Sequence, residues 1–357
     1  MMSLSYQSNT EGAEDKLTYP WRKLGIAFAV MMFIALLAAG VGAVNIHPLI
    51  ILKILMSKLP FVHIEPNWQH TYETILLQIR IPRVSLSCLV GGTLAISGAA
   101  YQGLFRNPLA DPYLIGAAPG AGLGATIVLA TSVPTFFQGI NILPLAAFVG
   151  AIGAVSIAYF TARNSDGLPL ATLILAGVAI ASLTTSLSAF ILIRSDPDVR
   201  PVLSWLMGGF IHAQWKHSIM ILPYLIPTVI VMLVHGRLLN VMQLGEDHAR
   251  QLGVSVENIK LLLIISATLS TAAVVAFSGL IGFVGLIVPH SVRLVWGVDY
   301  RFILPMSAIS GAAFVTLADL VARTIISPIE LPVGIVTAFC GAPFFVYLLR
   351  YRRYVAM

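Results

Sequence analysis

Long apolar runs, separated by short polar stretches, are the dominant pattern along this chain. A helix needs about 20 apolar residues to cross the roughly 30 Å of hydrocarbon in a bilayer. Runs close to this length lie at residues 24–44, 84–105, 114–133, 142–162, 168–193, 218–235, 302–322 and 332–349. The pattern predicts a series of membrane-spanning helices.

A further apolar stretch is too long for one crossing. Residues 261–289, between Lys260 and His290, are 29 uncharged positions in a row. At 1.5 Å per residue they would form a helix about 43 Å long. Cationic residues cluster at both chain ends, which favours two cytoplasmic termini and an even number of spans. Dividing 261–295 into two helices, with a turn near Ser278 and Gly279, gives ten spans.

The predicted organisation is a polar cytoplasmic tail, residues 1–23, followed by a ten-span domain, residues 24–357. The fold class is all-α integral membrane, with about ten transmembrane helices in a compact bundle. We expect a multi-pass protein of the cell (inner, cytoplasmic) membrane, surrounded by membrane lipid. Gly116, Gly120 and Gly124 recur at every fourth position and predict close helix packing.

Composition supports the membrane interpretation. The chain is 58% hydrophobic and only 10% charged, and its mean hydropathy is +0.89, whereas soluble domains carry about 25% charged residues. We attribute the formal charge of +6 to cationic cytoplasmic loops and not to nucleic acid, because no basic patch with interleaved aromatics occurs. Cys88 and Cys340 lie inside apolar runs and are interpreted as packing residues, not as metal ligands or disulfide partners.

Other classes of membrane protein fit less well. The chain has no G-x-x-x-x-G-K-[ST] sequence, so it does not bind ATP through that motif. A membrane-embedded enzyme needs clustered histidine or acidic residues within its spans, and the eight histidines are scattered. An ion-coupled secondary transporter needs ionisable residues near mid-membrane, whereas nearly every acid lies in a loop or at a rim. The secondary transporter is kept as the alternative function.

Three polar strings stand between the apolar runs. Residues 80–83, RIPR, open the second span and are either interfacial anchors or a docking site for an acidic partner. Residues 106–112, RNPLADP, place two prolines around a polar turn that ends a helix. Residues 244–254, LGEDHARQLGV, are the one sizeable cytoplasmic excursion, and they are either a solvated loop or the segment that a driving partner grips.

Local signals within these loops predict short elements. Glu246 and Asp247 favour the start of a short helix, which Gly253 would end. Residues 205–210, WLMGGF, are either an interfacial anchor or part of a substrate vestibule. Asp319 and Arg323 are spaced i,i+4 near the external surface, which predicts an ion pair on one helix.

Together these strings resemble the FecCD-type permeases, the membrane subunits of ABC importers for ferric siderophores, haem and cobalamin. The resemblance covers nearly all of residues 24–350, in order. The matching strings are RIPR at 80–83, SGAAYQGLFRNPLADP at 97–112, WLMGG at 205–209, LGEDHARQLGV at 244–254, IGFVGLIVPHSVR at 281–293 and ELPVGIVTAFCGAPFF at 330–345.

The resemblance implies a homodimeric permease of a type II ABC importer, which moves a bulky metal chelate and is not itself an enzyme. Separate ATP-binding cassette ATPase subunits would bind ATP-Mg, with no cofactor or metal in this chain. The ATPase-coupling residues would be Leu244, Gly245, Glu246, Ala249, Arg250, Leu252 and Gly253. An extracytoplasmic substrate-binding protein would dock at Arg80, Arg83 and Arg323.

Two further sets of residues follow from the resemblance. The cytoplasmic turn would consist of Arg106, Asn107, Pro108, Asp111 and Pro112. The pathway candidates are Trp205, Met207, Gly208 and Gly209. Siderophore, haem and cobalamin all stay open as substrates.

Overall fold

The computed structural model describes residues 19–355 except 43, 60–64, 132, 138–139, 166 and 196–197. Most of the predicted tail, residues 1–18, therefore lies outside the described residues. The described elements are α1 Trp21–Gly40, α2 Pro48–Ser57, α3 His70–Leu104, α4 Ala117–Ala130, β1 Phe136–Phe137, β2 Ile140–Asn141, α5 Ile142–Ala162, α6 Leu170–Ser195, α7 Val199–Leu206, α8 Trp215–Val234, α9 Gly236–Gln243, α10 Glu246–Gln251, α11 Val256–Ser278, α12 Val284–Trp296, α13 Tyr300–Thr324 and α14 Val333–Val355.

The all-α prediction is confirmed apart from one small hairpin of β1 and β2. Within the described residues, seven helices are long and apolar enough to cross a membrane: α1, α3, α5, α6, α8, α11 and α13. Shorter apolar helices are α2, α4, α12 and the Val333–Tyr347 part of α14. The predicted division of 261–295 is confirmed, because α11 ends at Ser278 and α12 begins at Val284. The apolar pattern did not predict α2, α7 or the hairpin.

Helix α3 lies at the centre of the bundle. It is the most buried of the long helices, and it packs against α13, α11, α12 and α8. Gly98 of α3 faces Gly285 of α12 so closely that a Cβ on Gly98 would lie 1.9 Å from the Gly285 carbonyl oxygen. Because lipid offers no hydrophobic drive between helices, close backbone contact of this kind is a main source of their association.

Hydroxyl pairs join α3 to its neighbours. Ser97 Oγ lies 3.1 Å from Ser270 Oγ of α11, and Ser87 Oγ lies 2.9 Å from Thr316 Oγ1 of α13. All four side chains are buried. Each pair satisfies polar groups that would otherwise be unpaired in an apolar interior.

The glycine repeat predicted to pack helices does so between α4 and α5. A Cβ on Gly120 would lie 2.4 Å from the Gly150 carbonyl oxygen, and one on Gly124 would lie 2.1 Å from the Ala146 carbonyl oxygen. Gly116 has a different role, since its φ of +94° places it as the left-handed residue that precedes α4.

The bundle has two ends, which we call the 244–254 end and the Arg83 end. The regular α-helical part of α3 begins at Ile81, beside Arg83. It finishes near Gly103, whose carbonyl oxygen accepts a 2.8 Å hydrogen bond from Gln243 Nε2 of α9. Helix α13 runs the other way, starting at Tyr300, whose N–H donates to Asn240 Oδ1 of α9 at 2.8 Å. The 20 residues from Arg83 to Gly103 correspond to about 30 Å of helix, the thickness of a hydrocarbon core.

Candidate functional site

The 244–254 segment forms a short helix at one end of the bundle. Helix α10 covers Glu246–Gln251, as the sequence predicted. Gly245 and Gly253 flank it with φ of +115° and +79°, a backbone region that residues with a Cβ rarely adopt. Ala249 is fully buried, so α10 packs one face against the bundle and leaves the rest outside.

The outer side of this segment carries two exposed leucines with polar neighbours. Leu244 and Leu252 are 66% and 65% exposed, while Asp247, His248 and Gln251 are exposed around them. Exposed apolar side chains with a polar rim are typical of protein–protein contact surfaces. The predicted coupling set contained the two leucines but omitted the three polar residues.

A buried lysine supports α10 from the bundle side. Lys260, near the start of α11, is 2% exposed, and its Nζ donates to Glu246 Oε2 at 2.7 Å and to Glu257 Oε1 at 3.1 Å. Arg250 Nη2 lies 3.3 Å from Glu257 Oε1 and 3.7 Å from Glu246 Oε2. We call these four residues the Lys260 cluster, in which two cations balance two carboxylates. Glu246 and Arg250 of the predicted coupling set thus engage their charges within this chain.

The Lys260 cluster also holds the loop that precedes α6. Lys260 Nζ donates to the Leu168 carbonyl oxygen at 3.2 Å, and the Leu168 N–H donates to Glu257 Oε2 at 2.9 Å. A Cβ on Gly167 would lie 2.8 Å from Glu257 Cδ, so glycine lets the carboxylate approach the backbone. The cluster therefore connects α10, α11 and the start of α6.

A second polar contact fixes α9, the helix that leads into the segment. Asn240 Nδ2 donates to Asp299 Oδ1 at 2.6 Å, and Arg301 Nε donates to Asp299 Oδ2 at 2.8 Å. Partial burial by itself raises the pKa of the Asp299 carboxyl, but the hydrogen bonds from Arg301 and Asn240 outweigh it and leave that pKa below its usual value. An ionised Asp299 thus anchors α9 to the start of α13.

The predicted turn at 106–112 lies against this same end. Arg106 takes a left-handed φ of +49°, and its Nη1 lies 4.0 Å from the position of a Cβ on Gly245. Asn107 Oδ1 accepts from the Leu109 N–H at 2.9 Å, and Asp111 Oδ1 accepts from the Tyr113 N–H at 2.8 Å. The described residues contain no ion pair between Arg106 and Asp111.

The two prolines of the turn differ in their surroundings. Pro108 is half-buried. Pro112 is buried, and its ring carbon Cδ lies 2.4 Å from the position of a Cβ on Gly285. Pro112 therefore belongs to the same close contact that joins α3 to α12 at Gly98.

Three breaks in the helices meet at one place, which we call the junction. It consists of residues 207–209 after α7, residues 278–279 at the end of α11 and residues 333–334 at the start of α14. Irregular backbone inside a membrane protein is stable only when other parts of the protein satisfy its polar groups. The hydrogen bonds that do so are Gly209 N–H to Ser278 O at 2.8 Å, Val333 N–H to Gly208 O at 2.9 Å and Gly334 N–H to Met207 O at 3.0 Å.

The pathway candidates lie at or beside the junction. Gly208 is buried with φ of +65°, and a Cβ on it would lie 2.4 Å from the Leu280 carbonyl oxygen. Trp205 and Gly209 are half-buried, whereas Met207 is 42% exposed. The backbone of these residues holds the junction together, and their contact with a substrate stays a prediction.

At the Arg83 end, a buried arginine pairs with two acids. Arg83 Nη2 lies 2.8 Å from Asp319 Oδ1, and Nε lies 3.0 Å from Asp319 Oδ2. Arg83 Nη1 also donates to Glu330 Oε2 at 2.9 Å. Asp319 is fully buried, and the predicted same-helix pair with Arg323 is present at 3.9 Å, longer than the pair with Arg83.

The other two predicted docking arginines, Arg80 and Arg323, complete the C-terminus of α1. Arg80 Nη1 donates to the carbonyl oxygens of Ala39 and Gly40 at 2.9 and 2.7 Å. Arg323 Nη2 donates to the carbonyl oxygen of Ala38. Cations at a helix C-terminus satisfy carbonyls that lack an intrahelical partner. Because all three guanidinium groups are engaged internally, their docking role stays a prediction.

Sequence reasoning missed Lys260, Glu257 and Leu168. The one signal was the i,i+3 spacing of Glu257 and Lys260, which commonly marks an exposed helical ion pair. A lysine at the head of an apolar run is ordinarily an anchor that extends to the membrane surface. Only the fold reveals that Lys260 is covered by α10 and by the loop before α6.

Known proteins are similar to this chain over most of its length. Residues 30–351 match the FecCD transport family. The cobalamin import system permease of Halobacterium salinarum is 46% identical over 80% of this chain and 76% of its own length. The hemin transport system permease of Yersinia pestis is 41% identical over 78% of this chain and 84% of its own length.

A solved structure has the same fold. It is a metal-chelate type ABC transporter in an inward-facing conformation, with a TM-score of 0.80 at 29% identity, over 93% of this chain and 100% of that chain. The likeness to this transporter therefore covers the arrangement of the helices as well as the sequence. The chain belongs to the FecCD transport family and is a multi-pass membrane permease.

Proposed function

We propose that this chain is the permease subunit of an ABC importer that translocates a bulky metal chelate and is driven by a separate ATPase. The observation that carries the proposal is the 244–254 segment, a short helix flanked by the exposed Leu244 and Leu252 and held from the bundle side by the buried Lys260. Relatives named as cobalamin and hemin permeases support a metal chelate as the substrate class. Since these relatives are named as import-system and transport-system permeases, they do not favour the ion-coupled alternative.

In the proposed topology ten helices cross the inner membrane, namely α1, α3, α4, α5, α6, α8, α11, α12, α13 and α14. Both termini are cytoplasmic, the 244–254 end faces the cytoplasm and the Arg83 end faces outward. The opposite directions of α3 and α13 between these ends support the arrangement. The positive-inside tendency supports the orientation, because cationic residues cluster at both chain ends.

We propose a homodimer with the transport pathway along its axis. Helix α6 buries little of its surface in one copy, and Leu175, Leu183 and Phe190 are among its exposed apolar side chains. Phe339 of α14 is exposed as well. A second copy and membrane lipid together would cover these faces, and Trp205 and Met207 would lie near the pathway.

Two partners complete the proposed assembly. ATPase subunits bind the 244–254 segment through Leu244 and Leu252, and the 106–112 turn lies beside them. A soluble binding protein docks at the Arg83 end, where three arginines and two acids leave a local excess of one positive charge. Electrostatic complementarity of this kind sets docking register and association rate more than affinity.

The transport cycle would be alternating access. ATP binding draws the ATPase subunits together and carries α10 with them, and the helices along the dimer axis exchange an outward opening for an inward one. A pathway with few fixed charges suits a chelate that must pass through without being held. The junction supplies the interrupted backbone around which helices can tilt.

Uptake by the reconstituted complex tests this function. The permease, its ATPase and its binding protein are placed in proteoliposomes, and labelled cobalamin, haemin and a ferric siderophore are offered in parallel. We expect uptake of one chelate class that requires both internal ATP and the binding protein. Uptake driven by an ion gradient without ATP would refute the proposal, and so would failure of all three chelates in a complex that hydrolyses ATP.

Accessibility labelling tests the topology independently. In a cysteine-free background, His248→Cys should react with an impermeant reagent only after the cells are opened, whereas Lys216→Cys, near the Arg83 end, should react in intact cells. Labelling of position 248 from outside would overturn the assignment of partners to faces.

A further inference from the structure

Lys260 stands between the segment that the ATPase would move and α6, a helix whose exposed apolar side chains a second copy and lipid would cover in the proposed dimer. Its ammonium group contacts α10 through Glu246 and the loop before α6 through the Leu168 carbonyl oxygen. We propose that Lys260 is the positioning residue that transmits movement of α10 to α6. This inference rests on the proposed function and adds to it a defined connection inside the permease.

The hydrogen bonds of Lys260 fix its position. An ammonium group has three donors, and here they reach Glu246 at 2.7 Å, Glu257 at 3.1 Å and the Leu168 carbonyl oxygen at 3.2 Å. The lysine side chain is 2% exposed, whereas the side chains of Glu246 and Glu257 are partly exposed. A displacement of Glu246 therefore reaches Leu168 through a single buried ammonium group.

The loop on the receiving side is held at two points. Glu257 accepts the Leu168 N–H at 2.9 Å while Lys260 donates to the carbonyl of the same residue. Gly167 lets the Glu257 carboxylate lie against the backbone, where a Cβ would be only 2.8 Å from Cδ. Leu168 is itself buried and stands two residues before α6. The cluster thus binds both the N–H and the carbonyl oxygen of Leu168, just before the start of α6.

A structural role alone would not require a buried charge at this position. Apolar packing already seats α10, as fully buried Ala249 shows. A buried ion pair is costly to desolvate and is often replaceable by apolar residues without loss of stability. What the ionic cluster adds is directionality, because its hydrogen bonds link specific atoms of three elements.

Two substitutions with a matched control separate coupling from folding. Lys260→Met removes the charge and keeps most of the volume, and Glu246→Gln is the milder change on the α10 side. Arg237→Gln is the control, because Arg237 of α9 is an exposed cation at the same end of the bundle and lies outside the Lys260 cluster. Each variant is purified with its ATPase, and chelate uptake is measured together with ATP hydrolysis in the same vesicles.

We expect Lys260→Met to retain the ATPase and its hydrolysis while uptake per ATP falls at least about tenfold. Glu246→Gln should lie between Lys260→Met and the wild type, Lys260→Arg should recover part of the lost uptake, and Arg237→Gln should stay within about twofold of the wild type. If Lys260→Met transports normally, or if it loses the ATPase and hydrolysis together, the transmission role is wrong. Failure of the wild-type complex to use ATP would instead refute the proposed function, so the two failures are distinguishable.

A distance measurement keeps the inference testable if Lys260→Met is poorly produced. Spin labels at Asp247→Cys on α10 and Thr172→Cys on α6 report whether these elements move together, with Cys88 and Cys340 replaced. In the wild type and in Arg237→Gln the distance should be the same with and without trapped nucleotide. In Glu246→Gln it should broaden or shift with nucleotide, and an unchanged narrow distance there would overturn the proposal.

Discussion

Removal of Arg83 tests whether the arginines at the Arg83 end stabilise the fold or only contact a partner. In Arg83→Met the fully buried Asp319 keeps one cationic neighbour, Arg323, at 3.9 Å. Loss of one partner from a buried pair costs about 3–5 kcal/mol, because the other charge remains uncompensated. The Glu330 side chain is 34% exposed, so water replaces most of its interaction with Arg83. The loss of that interaction therefore adds under about 1 kcal/mol to the cost.

The expected effect on melting follows from that cost. At about 2 °C per kcal/mol for a chain of this size, Arg83→Met should lower the midpoint of unfolding by about 6–10 °C. Asp319→Asn should cost less, because Arg83 keeps its two hydrogen bonds to Glu330. The double variant should cost less than the sum of the two single variants, since no buried charge of the pair remains unpaired.

The assay is the thermal midpoint of the purified protein, followed by size-exclusion chromatography after heating. Affinity for the binding protein is measured on the same samples below the midpoint. A docking role without a structural one predicts an unchanged midpoint and weaker partner binding. An unchanged midpoint would refute the argument that the buried Arg83–Asp319 pair stabilises the fold. A lower midpoint with unchanged affinity would instead show that the binding protein docks at other residues.

Three glycine substitutions give further predictions. Gly98→Ala places its Cβ 1.9 Å from the Gly285 carbonyl oxygen, so we expect a loss of about 1–3 kcal/mol, read as a lower thermal midpoint. Gly334→Ala places its Cβ 2.2 Å from the Met207 carbonyl oxygen, and we expect a similar cost together with reduced uptake at an unchanged level of ATPase binding. Gly253→Ala meets open space but keeps φ of +79°, so we expect a loss of only about 1–2 kcal/mol and weaker ATPase binding.

Gly153 offers a control for the first two substitutions. A Cβ there would have nothing within 4 Å, so Gly153→Ala should leave the midpoint unchanged or raise it slightly. If Gly98→Ala has the same thermal midpoint as Gly153→Ala, the close contact between α3 and α12 is not required for stability. If Gly253→Ala binds the ATPase normally, the left-handed turn after α10 does not position the exposed leucines.

Periodicity located the helices because a bilayer demands length and apolarity whatever the neighbours are. Ser278 and Gly279 were placed correctly as a break, since no single helix of 29 apolar residues fits the hydrocarbon core. The same reasoning said nothing of α2, which is only ten residues long, or of the hairpin at Phe136 and Asn141. Elements shorter than the bilayer leave no signature of that kind.

The polar residues were harder to interpret, because their meaning depends on what covers them. Arg83 and Arg323 were correctly placed at the same end of the bundle, and the Asp319–Arg323 pair followed from its spacing. The spacing did not reveal that Arg83, 236 positions away from Asp319, is its nearer partner. Likewise, Glu246 belonged to the predicted coupling set, while its inward contact with Lys260 was hidden.

By itself, the sequence determined that this chain is a helical membrane protein, where most of its long helices lie, and to which family it belongs. Those features depend on local hydrophobicity and on strings of adjacent residues. Only the tertiary structure decided which charges are buried together, as at Lys260 and Arg83, and which broken helices meet at the junction. Such contacts join positions far apart in the chain, and their energy depends on the removal of water, which no single segment achieves alone.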